Sequence, residues 1–326
     1  MGSSAASPRD PFARAARGVV LYNLAVIVWG AYVRASGSGA GCGSHWPSCN
    51  GDVIPRAPSV KTLVEFSHRA TSGLALLSTL ALLVWAFRRF PRGDAVRRAA
   101  VWSNAFMLGE ALLGAGLVLF ELVAGNKSHA RAFAMSAHLL NTFCLLGALT
   151  LTAHFAGGGK RLRLAGQGSL LALLGAGLGG MFVLGISGAV AALGDTLFPA
   201  KSLLEGMGQD LSATSHAFLR LRALHPLIAV AEALLLIACA LAATQQRPSQ
   251  AVRRSSLALG VGVVVQIAAG MTNLLLLAPT GMQLLHLLLA DLVWIALVVV
   301  AANALAIDAP RAEVTEPVDA ARVGGA

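Results

Sequence analysis

Eight stretches of apolar residues, each close to the length a membrane span requires, limit what this chain of 326 residues can fold into. They run near 18–34, 64–87, 99–120, 132–156, 168–191, 222–244, 256–277 and 283–306. Hydrophobic residues make up 56% of the chain and charged residues 12%, with a mean hydropathy of +0.70; soluble proteins carry about 25% charge. In lipid every backbone polar group must be satisfied internally, so each span is expected to be a helix. The fold class that follows is all-α, a polytopic membrane protein of eight transmembrane helices.

A net charge of +10 invites a nucleic-acid reading, but its distribution argues against one. The basic residues gather at alternate ends of the spans. Arg9, Arg14 and Arg17 precede the first; Arg88, Arg89, Arg92, Arg97 and Arg98 fall between the second and third. Lys160, Arg161 and Arg163, then Arg247, Arg253 and Arg254, and finally Arg311 and Arg322 continue the alternation. The positive-inside rule makes these segments cytoplasmic, with both termini inside. The opposite loops, 35–63, 121–131, 192–221 and 278–282, face outward. The amino terminus lacks a cleavable signal pattern, since its polar lead is long and no small-residue site follows a short apolar core.

The chain reads as a duplication. Val28-Trp29-Gly30-Ala31-Tyr32-Val33 ends the first span and Ile186-Ser187-Gly188-Ala189-Val190-Ala191 the fifth. Glu110-Ala111-Leu112-Leu113-Gly114 in the third resembles Gln266-Ile267-Ala268-Ala269-Gly270 in the seventh. Two pseudo-symmetric four-helix bundles are expected, 18–156 and 168–306, with a linker at 157–167 marked by Gly157-Gly158-Gly159 and tails at 1–17 and 307–326.

Four histidines sharpen this picture. His68, His138, His225 and His286 stand just inside the second, fourth, sixth and eighth spans, which all run in one direction. They therefore lie at similar depth near the outer face. Ionisable groups in a membrane are costly, and imidazole is a common haem ligand, so four make two axial pairs. The bland alternative for any one of them is a hydrogen-bonded interhelical histidine. His45, His129, His154 and His216 read as loop or interfacial residues. Pairs at one depth favour electron transfer within the outer layer over transfer across the membrane. No broken span or midplane charge stands out, which disfavours a transporter.

Glu65 is three residues before His68 and shares its helix face. It can reach the histidine's cavity as an acid or base, or it can pair with Arg69 four residues on. The second half has Leu221 or Arg222 at the matching place, so the halves are not equivalent: one is suited to reaction, the other to electron transfer. Cys42 and Cys49 share the first outer loop, where a disulfide, free thiols or a metal site are all open; Cys144 and Cys239 read as small hydrophobes within spans.

The run from Gly30 through Arg34 to Gly41-Cys42, then His45-Trp46-Pro47-Ser48-Cys49, and Glu65-Phe66-Ser67-His68-Arg69, closely resembles the heme A synthase family. Leu221-Arg222-Ala223-Leu224-His225-Pro226 and the His286 span resemble its second half. The resemblance implies an oxidoreductase that converts the C8 methyl of heme O to the formyl of heme A by two hydroxylations and loss of water, for terminal oxidases. It implies that His225 and His286 ligate a resident haem b, that His68 and His138 serve the heme O iron, that Glu65 is catalytic, and that Cys42 and Cys49 are the outer cysteine pair. Arg34, Arg69, Arg220 and Arg222 are candidate propionate partners. The partners to look for, besides heme O and the bilayer, are a heme O synthase, an electron acceptor and further copies of the chain; nucleic acid is not among them. The expected location is the cell (plasma) membrane.

Two departures stand out: no cysteine pair lies between 192 and 221, and Pro226 follows His225 where Arg69 follows His68. A proline near a first helical turn is tolerated. The competing readings are a bis-histidine diheme electron-transfer cytochrome, which leaves Glu65 and the cysteine loop unexplained, and a haem carrier.

Overall fold

The computed structural model describes residues 10–212 and 214–306, which form nine helices. They are α1 (Pro11–Ala35), α2 (Val60–Arg89), α3 (Ala95–Leu119), α4 (His129–Ala156), α5 (Gly168–Leu197), α6 (Leu203–Leu211), α7 (Ala217–Gln246), α8 (Gln250–Leu275) and α9 (Thr280–Ala304). All except α6 are long and apolar enough to cross a membrane.

Helix starts follow local chemistry. The hydroxyls of Ser59, Ser128, Ser202 and Ser249 each accept a hydrogen bond from the N–H three residues on, opening α2, α4, α6 and α8. The start of α1 differs from the sequence expectation. Asp10 caps it, Pro11 occupies its first position, and Asp10 also pairs with Arg89 at the end of α2, so residues expected in a tail are helical. Arg9, Arg311, Arg322 and the tail beyond 306 lie outside the described residues.

Helices α1 to α4 pack as one closed bundle, and α5, α7, α8 and α9 as a second. The seam joins α4 to α5 and α9, and α1 to α9. One apolar core runs through it, from Leu24 on α1 and Phe143 on α4 to Leu174 on α5 and Leu297 on α9. The Trp294 indole donates to the Phe143 carbonyl at 2.7 Å and stacks on its ring, with centroids 5.1 Å apart. The interhelical linker is tied down too: Arg163 N–H donates to the Leu305 carbonyl beyond α9 at 2.8 Å. Outward faces carry exposed leucine and valine, such as Leu74 and Leu77 on α2 and Leu257 and Val261 on α8, suited to acyl chains.

The third outer segment is not the open loop expected at 192–221. Helix α5 continues to Leu197, α6 follows, and α7 begins at Ala217. With no disulfide, the segment is braced by Arg222, which donates to Asp195 at 3.0 Å and Asp210 at 2.6 Å. His216 caps α7 and packs edge-on against Phe218, 4.4 Å between centroids. Because α7 starts early, Pro226 lies in its interior rather than near its first turn. Its missing N–H leaves the Arg222 carbonyl without the usual helical donor.

Candidate functional site

The four span histidines fall six to nine residues from the N-terminal ends of α2, α4, α7 and α9, a rise of about 9–14 Å along each helix. Three of them lie against a bare glycine backbone on the neighbouring helix. A Cβ added at Gly30 would meet the His68 Cε1 at 2.8 Å, one at Gly270 the His286 Cε1 at 2.9 Å, and one at Gly188 the His225 Cε1 at 3.2 Å. Glycine there lets the imidazole lie against the backbone, where a Cβ would push the ring away. Gly114, the counterpart of Gly270, has nothing within 4 Å, and His138 stands instead beside Glu110.

In the second bundle the His225 and His286 ring centroids are 6.5 Å apart with their planes at 89°. Two imidazoles sharing one metal at about 2 Å per bond place their ring centres roughly 6 Å apart. The Ser187 hydroxyl gives its proton to the Leu184 carbonyl at 2.8 Å and lies 2.9 Å from His225 Nδ1. With the hydroxyl hydrogen directed to Leu184, the serine oxygen can accept from Nδ1–H, the tautomer that leaves the Nε2 lone pair for a metal. His286 Nε2 lies 3.5 Å from Gln266, whose amide donates to the His286 carbonyl at 3.1 Å. These residues fit an axial pair for a haem.

The first bundle is built differently. The loop between α1 and α2 is closed by a Cys42–Cys49 disulfide and sits on the start of α2, where a Cβ on Gly41 would strike the Lys61 carbonyl. The loop reaches Glu65, whose Oε2 accepts from Cys42 N–H at 2.9 Å. Glu65 Oε1 pairs with Arg69, and Arg69 donates to the His45 and Ser48 carbonyls at 2.7 Å each. Glu65 therefore does pair with Arg69, and it is also 3% exposed one helical turn before His68. His68 and His138 are electrostatic neighbours, and each keeps a buried Nδ1 with no hydrogen bond among the described residues. Glu110 Oε2 lies 3.3 Å from the His138 Nδ1 without hydrogen-bond alignment, held by Asn141 at 2.6 Å and Thr142 at 3.1 Å.

The candidate arginines are engaged with protein groups. Arg34 crosses the seam to the Ala192 carbonyl at 3.0 Å, the Thr196 hydroxyl at 2.7 Å and Gln283 at 2.9 Å. Arg222, at the place of Glu65 in the repeat, holds two aspartates, and Arg220 is exposed in the first turn of α7.

Sequence reasoning overlooked two buried acids within spans, Glu232 on α7 and Asp291 on α9, and gave no role to the half-buried Glu110 on α3. Asp291 is 0% exposed and neither of its oxygens has a partner among the described residues. The signal was available, since an intramembrane carboxyl marks a functional position by default. Ser187 carried no signal, being one hydroxyl in an apolar span.

Eight spans in two bundles, each carrying two histidines at like distance from the N-terminal ends of its helices, with His225 and His286 adjacent in the second, define a polytopic membrane protein. The chain belongs to the COX15-CtaA family of cytochrome oxidase assembly proteins, which it matches over residues 13–298. It is 51% identical over 307 residues to a Thermus thermophilus protein named protoheme IX farnesyltransferase, covering 94% of this chain and 50% of that one. It thus spans about half the length of that relative. It is 39% identical over 127 residues to the heme A synthase of Halalkalibacterium halodurans, covering 38% of this chain and 41% of that protein. Against the heme A synthase of an Exiguobacterium species it is 39% identical over 103 residues, 32% of this chain and 34% of the relative.

Proposed function

We propose that this chain is a heme A synthase, oxidising the C8 methyl of heme O to a formyl group. The observation that carries this is the inequality of two otherwise matched sites. His225 and His286 face one another at 6.5 Å, one of them with its tautomer set by Ser187. The other site adds buried Glu65 a turn from His68, where the second half has Arg222. A symmetric electron carrier has no use for that carboxylate. The relative named protoheme IX farnesyltransferase, of which this chain spans about half, supports a farnesylated haem as substrate and a heme O synthase as a partner.

In this reading the second bundle holds a resident haem b, which when bound supplies a one-electron carrier beside the reaction site. The first bundle takes heme O between His68 and His138. Glu65 serves as the proton acceptor, its two oxygens oriented by Cys42 N–H and Arg69. Two hydroxylations, each adding the oxygen of one water and releasing two protons and two electrons to an external acceptor, give a geminal diol that loses water to the aldehyde. The helix rims bury the macrocycle among apolar side chains and keep the product from bulk water. The protein sits in the plasma membrane with both termini cytoplasmic and the histidines toward the outer face.

The test is to purify the protein from cells co-expressing a heme O synthase, extract the haems and separate them chromatographically. Heme A or its alcohol precursor beside haem b is the expected result. Haem b with heme O untouched overturns the enzyme in favour of an electron-transfer cytochrome.

A further inference from the structure

Arg131 is a buried cation with no acid to answer it among the described residues. The sequence places it at the end of an outer loop, but it is the third residue of α4 and 3% exposed. Its Nη1 donates to the carbonyls of Ala124 and of Asn126, the latter at 2.8 Å. Its Nε is shut off from solvent and makes no hydrogen bond among the described residues. The two carbonyls therefore take up Nη1 and leave the buried Nε–Nη2 edge, the edge that binds a carboxylate in a bidentate fork, without a protein partner among the described residues. Burying a charge against neutral carbonyls alone is costly, and the neighbourhood worsens it: the nearby Arg34 feels the charge of Arg131. Arg69 and Arg222, by contrast, are matched to acids, Arg69 to Glu65 and Arg222 to Asp195 and Asp210.

Position says which anion belongs there. Arg131 stands seven residues before His138, two turns along α4 on the same face, about 10 Å nearer the outer surface. A tetrapyrrole whose iron meets His138 carries its two propionates on one edge of the ring, at that kind of reach from the metal. We infer that Arg131 binds a propionate carboxylate of the tetrapyrrole entering the first bundle, orienting the ring so that its propionate edge faces outward. This rests on the proposed placement of heme O between His68 and His138. It makes Arg131 a substrate-binding residue that fixes which edge of the ring points down toward the bilayer centre. A lipid phosphate at the outer surface offers the same anionic chemistry, and the esterified substrate below separates the two.

The experiment titrates heme O and its propionate dimethyl ester into the purified full-length protein carrying its resident haem, following the Soret band. The native protein is expected to bind the free acid about tenfold more tightly than the ester or better. Arg131→Met should bind both forms at the ester's affinity, and Arg131→Lys should fall between. Equal affinity of the native protein for acid and ester overturns the inference without needing any variant, and leaves the anion to lipid. A full preference retained in Arg131→Met overturns it as well. If the native protein binds neither form, the heme O reading itself falls and this one with it.

Discussion

Replacing Gly270 by alanine should loosen the resident haem through a displacement of His286. The new Cβ would lie 2.9 Å from the His286 Cε1, against an optimal carbon contact of about 3.5–4.0 Å. The ring must retreat by roughly 0.6–1.1 Å, a large fraction of a metal–nitrogen bond of about 2 Å. Overpacking of this kind costs roughly 1–3 kcal/mol, which in affinity is about five- to 150-fold. Gly188→Ala should follow with a smaller loss, because its Cβ meets the His225 Cε1 at 3.2 Å. Gly114→Ala is the internal control: it occupies the matching place in the first bundle, has no neighbour within 4 Å, and should change haem retention by less than about twofold. The assay is haem per protein after detergent dilution, read as the pyridine haemochrome, with the low-spin spectrum reporting the axial pair. Full retention in Gly270→Ala, or equal damage from Gly114→Ala, refutes the argument that glycine is there to admit imidazole.

Other outcomes follow from the same geometry. Glu65→Gln should keep the resident haem yet lower heme A formation by about 100-fold or more; wild-type product yield removes Glu65 from the chemistry. His225→Ala or His286→Ala should lose the resident haem while His68→Ala and His138→Ala retain it, and the reverse distribution in extracted haem overturns the assignment. Ser187→Ala removes the acceptor that sets the His225 tautomer, so haem affinity should drop about 10–100-fold, an effect Ser187→Thr should largely restore. Replacing Cys42 and Cys49 by serine opens a loop of sequence separation 7 and should cost roughly 2 kcal/mol, seen as a lower melting temperature; an unchanged melt contradicts the role of the loop as a clamp on α2.

Much of this was legible in the sequence because the bilayer imposes a length and an alternation of charge that few other folds share. The spans and the place of Glu65 beside His68 follow from spacing along helices, while the pairing of His225 with His286 comes from the reading of a duplication and from the family resemblance. What escaped was set by tertiary contact. Helix α6 did carry a signal, the capping-box spacing of Ser202 and Glu205 followed by Leu203, Met207 and Leu211 at helical spacing, but nine residues are too short for a span and the segment reads as loop. Arg131 reads as a solvated loop cation, yet the carbonyls of Ala124 and Asn126 draw it inward. Pro226 reads as a helix-start proline because the apolar run begins near 222, whereas the cap at His216 sets α7 going sooner. Glu110 was visible as a repeat partner of Gln266; its approach to His138 was not.

The shared core has a consequence for biogenesis. As α1 to α4 enter the membrane, Phe143 and Leu146 present themselves to lipid, and the Phe143 carbonyl waits for an indole on the last helix to be synthesised, 151 residues later. Cutting the chain at the triglycine would therefore yield two polypeptides, each with an unfinished wall. Made together in one cell, they should find each other and restore the whole, as fragments of a split reporter do.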